Sequence, residues 1–175
     1  MIAEGRVPPV PVYLDSPLAI KVTDIYKHFQ NYFNSTVFDP DHLRDGVFNF
    51  PNLHKTLTTE ESRAIVDLPG RKIIIAGSGM SNGGRIIHHE KHYLSNPSTA
   101  LLLIGYQAAG SLGRLLEEGA KEVTILGARI PVRATVISLS GYSAHRDGPH
   151  LLEFVHESSL NGSLEMVYTA MGEPK

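Results

Sequence analysis

Apolar residues fall along this 175-residue chain in two rhythms. Short runs bounded by turn residues predict strands, and recurrences three or four apart predict helices. Val10-Pro11-Val12-Tyr13-Leu14 reads as a short strand. Ser16 then stands as an N-cap with Pro17 at the first helical position. Val22, Ile25, Tyr26, Phe29, Tyr32 and Phe33 continue at helical spacing. Residues 34–57, rich in Asn, Asp, Pro and His, predict a long irregular connection. Thr58-x-x-Glu61 is a capping-box pattern that opens a helix to about Leu68.

From Lys72 the pattern becomes strand–turn–helix, twice. Lys72 to Ala76 and Thr99 to Ile104 are runs that a strand buried on both faces would carry. Each feeds a glycine-rich turn and then a helix, Arg85 to Leu94 and Leu112 to Glu118, the second ending at Gly119. Such alternation predicts an α/β fold with a mainly parallel sheet flanked by helices. The pattern changes after residue 121. Glu122–Leu126, Arg129–Thr135 and Val136–Leu139 predict strands with almost no helix between them, which places a domain seam near residues 127–140. One helix and a last strand, Leu164–Ala170, complete the chain, and its ends read as those of an excised piece of a longer protein.

Composition adds limits. The chain is 42% hydrophobic and 19% charged, an ordinary globular balance. A net charge of -2 supplies no overall basic field, so any nucleic-acid contact must come from a local patch. No cysteine is present, which excludes disulfides, thiolate zinc sites and cysteine nucleophiles, and fits a cytoplasmic protein. No apolar run approaches the roughly 20 residues of a membrane helix.

Four constellations carry candidate chemistry, each with a plainer alternative. Gly77-Ser78-Gly79-Met80-Ser81-Asn82-Gly83-Gly84 follows a strand and opens a helix. Glycines there let a backbone approach an anion, and Arg85 adds charge. The spacing is neither a Walker loop nor the dinucleotide fingerprint, and a tight turn without ligand is the alternative. His88-His89-Glu90-Lys91-His92 puts His88 and His92 on one helix face, which suits a metal, but a solvated polar face is favoured. Gly105 to Arg114 is a second glycine turn, with Gln107, Ser111 and Arg114 suited to phosphate or sugar, or simply to turning the chain. Finally, Gly141-Tyr142-Ser143-Ala144-His145-Arg146-Asp147 puts a histidine at the carboxyl end of a strand, where α/β proteins collect chemistry. Asp147 either orients that histidine as an acid/base group or caps the next helix.

Taken in order, these segments resemble the β-CASP family of metallo-β-lactamase-fold RNA nucleases. The matching pieces are Val12-Tyr13-Leu14-Asp15-Ser16-Pro17-Leu18-Ala19, Gly77 to His89, Gly105 to Arg114 and Ser143-Ala144-His145-x-Asp147. The resemblance implies a β-CASP domain over residues 1–134, truncated at its N-terminus, and a fragment of a β-rich metallo-β-lactamase domain over 135–175. It implies RNA as the partner, no membrane, and allows a homodimer. It implies zinc in the full-length parent, with ligands mostly outside this chain and none expected in the fragment. There, metal-activated water attacks phosphorus and His145, at the motif B position, protonates the leaving oxygen. His145 and Asp147 are thus the catalytic candidates. Ser78, Gly79, Met80, Gly83, Gly84, Arg85, Gln107, Ser111 and Arg114 are the substrate-binding candidates.

There are departures from the family pattern. The His-x-His-x-Asp-His zinc motif is absent. Met171 stands where motif C usually has a histidine, and a thioether is a poor zinc ligand. Arg146 and Gly148 replace the usual Ala and Gln. The fragment alone is expected to be inactive. Two other readings compete: an RNA- or protein-binding module that has lost cleavage, and a nucleotide-binding α/β domain using Gly77–Gly84.

Overall fold

A computed structural model describes residues 5–6, 8–29, 32–33, 48, 50, 52–142, 145–160, 162 and 164–169. Strand β1 (Val12–Asp15) is the centre of a three-stranded parallel sheet, with β2 (Leu53–Lys55) on one side and β3 (Ile73–Ala76) on the other. Strand β4 (Ala100–Ile104) pairs in parallel with β7 (Thr135–Leu139). Between them in sequence, β5 (Glu122–Ile125) and β6 (Ala128–Pro131) form an antiparallel hairpin. The helices are α1 (Pro17–His28), α2 (Thr59–Ala64), α3 (Ile86–Tyr93), α4 (Leu112–Glu117) and α5 (Gly148–Leu160). The architecture is α/β and mainly parallel, as the strand–helix alternation predicts.

Local chemistry sets several boundaries. Ser16 caps α1, its hydroxyl accepting from the Ala19 amide at 3.3 Å, with Pro17 supplying a preset first helical residue. The capping box at α2 is complete: Thr58 accepts from the Glu61 amide, and the Glu61 carboxylate accepts from the Thr58 amide. Ile65–Asp67 tighten into a 3-10 turn that ends the helix at Leu68. Leu126 and Gly127, both at positive φ, make the two-residue hairpin turn between β5 and β6.

Some expectations need correction. β3 and β4 are not buried on both faces: exposure alternates along each, so that Leu103 is 3% exposed while Ile75 is 50% exposed. A run of branched apolar residues reads the same whether one or both faces are covered. Helix α1 stops at His28, and Tyr32 and Phe33 lie beyond it. The Phe33 ring nonetheless lies near that of Tyr26, at 5.8 Å between centroids. The connection 34–57 lies largely outside the described residues, but its end contains β2, whose pairing with β1 organises a polar stretch as strand. Residues 164–169 form no strand. The pattern there is strand-like, but a strand also needs an edge to pair with. Ala170 lies outside the described residues.

The core gathers Leu94, Leu103, Leu116, Val123, Ile125 and Ala134, with Ile87, Leu101, Leu112 and Val136 packed against it. It joins α3, α4, β4 and the hairpin. This fixes the helices that follow both glycine turns.

Candidate functional site

The parallel strands set the geography. β1, β3, β4 and β7 end at Asp15, Ala76, Ile104 and Leu139, and the chemistry-bearing segments follow these ends. The first turn, Gly77–Gly84, leaves β3, and the second, from Gly105, leaves β4. Gly105 donates its amide to Leu139 O at 3.3 Å, tying the end of β7 to the start of the second turn. The His145 segment therefore departs from the strand edge where the turns lie. In parallel α/β sheets that edge is the usual place for ligands.

The first turn is held by its own backbone. Ile86 donates to Gly77 O at 3.0 Å and Ser78 to Gly83 O at 3.2 Å. Gly84 sits at φ +72°, and a Cβ there would meet Gly77 O at 2.4 Å, so glycine is required. Gly79 and Gly83 have open space around the position of a Cβ, as an approach route for a ligand would need.

The two turns touch. Gln107 is 1% exposed, and its Nε2 donates to Gly79 O at 2.9 Å and to Gly105 O at 3.3 Å. Gly113 donates its amide to Met80 O at 3.0 Å, and Leu112 to Asn82 Oδ1 at 3.1 Å. Ser111 is buried as the N-cap of α4, its hydroxyl accepting from the Arg114 amide at 3.1 Å. Arg114, half-buried, reaches Glu118 Oε1 at 2.7 Å and Gln107 O at 3.4 Å. The structure thus brings Ser78, Gly79, Met80, Gln107, Ser111 and Arg114 into one neighbourhood.

Arg85 has a different engagement from the open phosphate contact expected. Its Nη1 donates to Asp15 Oδ1 at 2.7 Å and Thr56 O at 2.9 Å, and its Nη2 to Leu57 O at 2.9 Å. Asp15 is fully buried at the end of β1. Burial alone would push its carboxyl up, but hydrogen bonds from His89, Ser62, Thr56 and Arg85 outweigh this and hold it below the usual carboxylate range. His89 Nε2 lies 2.6 Å from Asp15 Oδ2, and against an ionised carboxylate that nitrogen carries the proton.

The helix face at 88–92 is thus not uniformly solvated. His88 and His92 are exposed as expected, whereas His89 and Glu90 are buried. Glu90 accepts from the Ser81 hydroxyl in the first turn. Burial pushes its carboxyl up to about 7, against the lowering effect of the Ser81 bond. Both residues line a cavity of about 370 Å³ with Lys72, Tyr93 and Thr99. This buried polar layer of Asp15, His89 and Glu90 was not visible in the apolar pattern. Its one signal is an aspartate placed at a strand end directly before the helix cap.

His145 is exposed, on the stretch between β7 and α5. Asp147 accepts from the His150 amide at 3.0 Å, as an N-cap of α5 does, and contacts His150 Nδ1. These bonds hold its carboxyl below the usual range. Ser143, Ala144 and Met171 lie outside the described residues. Among the described residues, no group of three or more His, Cys, Asp or Glu side chains is placed to hold a metal.

The Beta-Casp domain model matches residues 1–116. The chain belongs to the Beta-Casp family. Among its relatives is "Ribonuclease TTHA0252" of Thermus thermophilus, 41% identical over 152 residues, covering 86% of this chain and 35% of that protein. An "RNase J-like protein" of Methanocaldococcus jannaschii is 34% identical over 154 residues, covering 88% of this chain and 34% of that one. A "Transcription termination factor FttA" of Methanosarcina mazei is 30% identical over 186 residues, covering 99% of this chain and 28% of that one. This β-CASP chain therefore spans about a third of the length of these relatives. No helix among its described residues is long and apolar enough to cross a membrane.

Proposed function

We propose that this chain is the RNA-binding and RNA-processing part of a β-CASP ribonuclease that hydrolyses phosphodiester bonds. The observation that carries the reading is the joining of the two glycine turns through Gln107 and Gly113, at the strand edge from which the His145 segment also departs. Relatives named as ribonucleases support the same reaction class.

Ser78, Gly79, Met80 and Gly83 offer the close backbone approach, and Arg114 the charge, for phosphates of the RNA. Arg85 and Gly84 shape the first turn from behind, and Ser111 fixes the start of α4 beside the second. His145 donates the proton to the leaving oxygen, and Asp147, as the cap of α5, positions the stretch that carries it. The division lies near residue 134: residues 1–134 form the β-CASP part and 135–175 begin the return into a metallo-β-lactamase domain. The parent is cytoplasmic and zinc-dependent. Its ligands would lie mostly outside this chain, and no step here runs through it.

The test is RNA cleavage by the full-length parent with added zinc, comparing wild type with His145→Ala. A loss of about 100-fold or more in the variant is expected of a general acid. Failure of clean, zinc-loaded wild type to cleave would overturn the nuclease reading. It would favour a module that binds without cutting, the reading that Met171 at the motif C position supports.

A further inference from the structure

We infer that Gln107 is a positioning residue which locks the two glycine turns into one RNA-binding platform, rather than a residue that touches RNA. The inference rests on the RNA-binding role proposed above and goes beyond it in saying how the platform is set.

Gln107 is buried, so its amide is not offered to a large ligand. Both hydrogens of its NH2 group are spent on backbone carbonyls, one in each turn: Gly79 O and Gly105 O. Its own backbone carbonyl accepts from Arg114 Nη1 at 3.4 Å. One residue thus fixes the first turn, the second turn and the candidate phosphate-binding arginine. Gly113 makes room for it, since a Cβ there would lie 1.8 Å from Gln107 Oε1. A second brace runs in parallel, from Leu112 and Gly113 amides to Asn82 Oδ1 and Met80 O.

Two turns braced this way move as a unit. A strand of RNA lying across both then finds its phosphate contacts preset, without the cost of ordering two loops separately. Gln107 Oε1 is buried and has no hydrogen-bond partner among the described residues. The side chain is thus held by its donor end alone, and that end is what the brace needs.

The test uses this chain with amide hydrogen exchange and a fluorescent single-stranded RNA oligonucleotide. Gln107→Met keeps the length of the side chain and removes its donors. Exchange should then rise at Gly79–Gly84 and at Gly105–Gly113 together, and RNA should bind about tenfold more weakly. Asn82 is exposed, so Asn82→Leu tests the second brace with little risk to folding; Asn82→Asp keeps the acceptor and should restore slow exchange in both turns, while its added negative charge keeps RNA binding weak. The double variant Gln107→Met/Asn82→Leu should bind RNA less weakly than the two single losses multiplied together, as for groups serving one function. Exchange that rises in only one turn, or RNA affinity unchanged while both turns loosen, would overturn the inference. If wild type binds no RNA, the RNA-binding reading fails and the positioning role with it, while coupled exchange would still stand as a property of the fold.

Discussion

Arg85 Nη1 lies 2.7 Å from Asp15 Oδ1, joining the start of α3 to the end of the central strand β1 across 70 residues of sequence. The same guanidinium holds the carbonyls of Thr56 and Leu57 just before α2. This pair closes the chain's first half around a buried carboxylate. Removing one partner leaves a buried charge without compensation, so Asp15→Ala should cost about 3–5 kcal/mol of stability, measured by denaturant unfolding. The pH dependence follows from the depressed carboxyl. Its stabilisation is fully present above the unfolded value near 4 and is lost as pH falls through the lower folded value. Wild type should therefore lose stability steeply below about pH 4, and Asp15→Asn should flatten that limb.

Adjacent glycines in the first turn give a controlled comparison. Gly84→Ala forces a Cβ against Gly77 O at 2.4 Å and a side chain into positive φ. Nothing lies within 4 Å of a Cβ at Gly83, and its φ carries no such demand. Gly84→Ala should destabilise by at least about 2 kcal/mol, in the range of strained backbone sites, and Gly83→Ala by far less. Equal effects in thermal unfolding would show that the turn does not hold this shape.

Glu90 should make stability fall as pH rises. Its folded carboxyl is pushed up from 4.5 to about 7, so the folded chain keeps a proton that the unfolded chain has released. The Glu90 contribution is most favourable below about pH 4.5 and declines up to the folded value near 7, by as much as about 3 kcal/mol. Glu90→Gln keeps an acceptor for the Ser81 hydroxyl and cannot ionise. Its melting temperature should exceed that of wild type at pH 8, with the gap narrowing towards pH 5. A gap independent of pH would mean that Glu90 does not titrate in this range.

The parts of the fold that the sequence makes legible are those dictated locally. Ser16, Pro17 and the Thr58–Glu61 box specify helix starts through bonds that span only three or four residues. The two glycine turns are legible because a strand followed by glycines and a helix has few other shapes. What is not legible depends on partners distant in sequence. Nothing in Leu53-His54-Lys55 marks a strand until β1 lies beside it. Three isoleucines in β3 do not tell which face is covered. His89 and Glu90 look like solvated neighbours of His88 and His92 until the helix is rotated against Asp15 and Ser81. Gln107 and Arg85 are found in the expected turns, yet their polar atoms turn to the protein's own backbone and carboxylate.

The histidine end of the site separates two roles for one carboxylate. Asp147 accepts from the His150 amide and contacts the His150 ring, both of which serve the start of α5. Asparagine caps helices about as well as aspartate, but carries no charge to orient or stabilise an imidazolium. In the full-length parent, Asp147→Asn should therefore leave α5 formed and reduce RNA cleavage by no more than about tenfold. His145→Ala should reduce it by about 100-fold or more, with RNA binding little changed, because a proton donor acts on the chemical step rather than on the complex. Single-turnover cleavage at saturating RNA is the measurement. If Asp147→Asn matches His145→Ala in that assay while α5 remains helical, the carboxylate acts on the histidine itself, and capping is not its principal task.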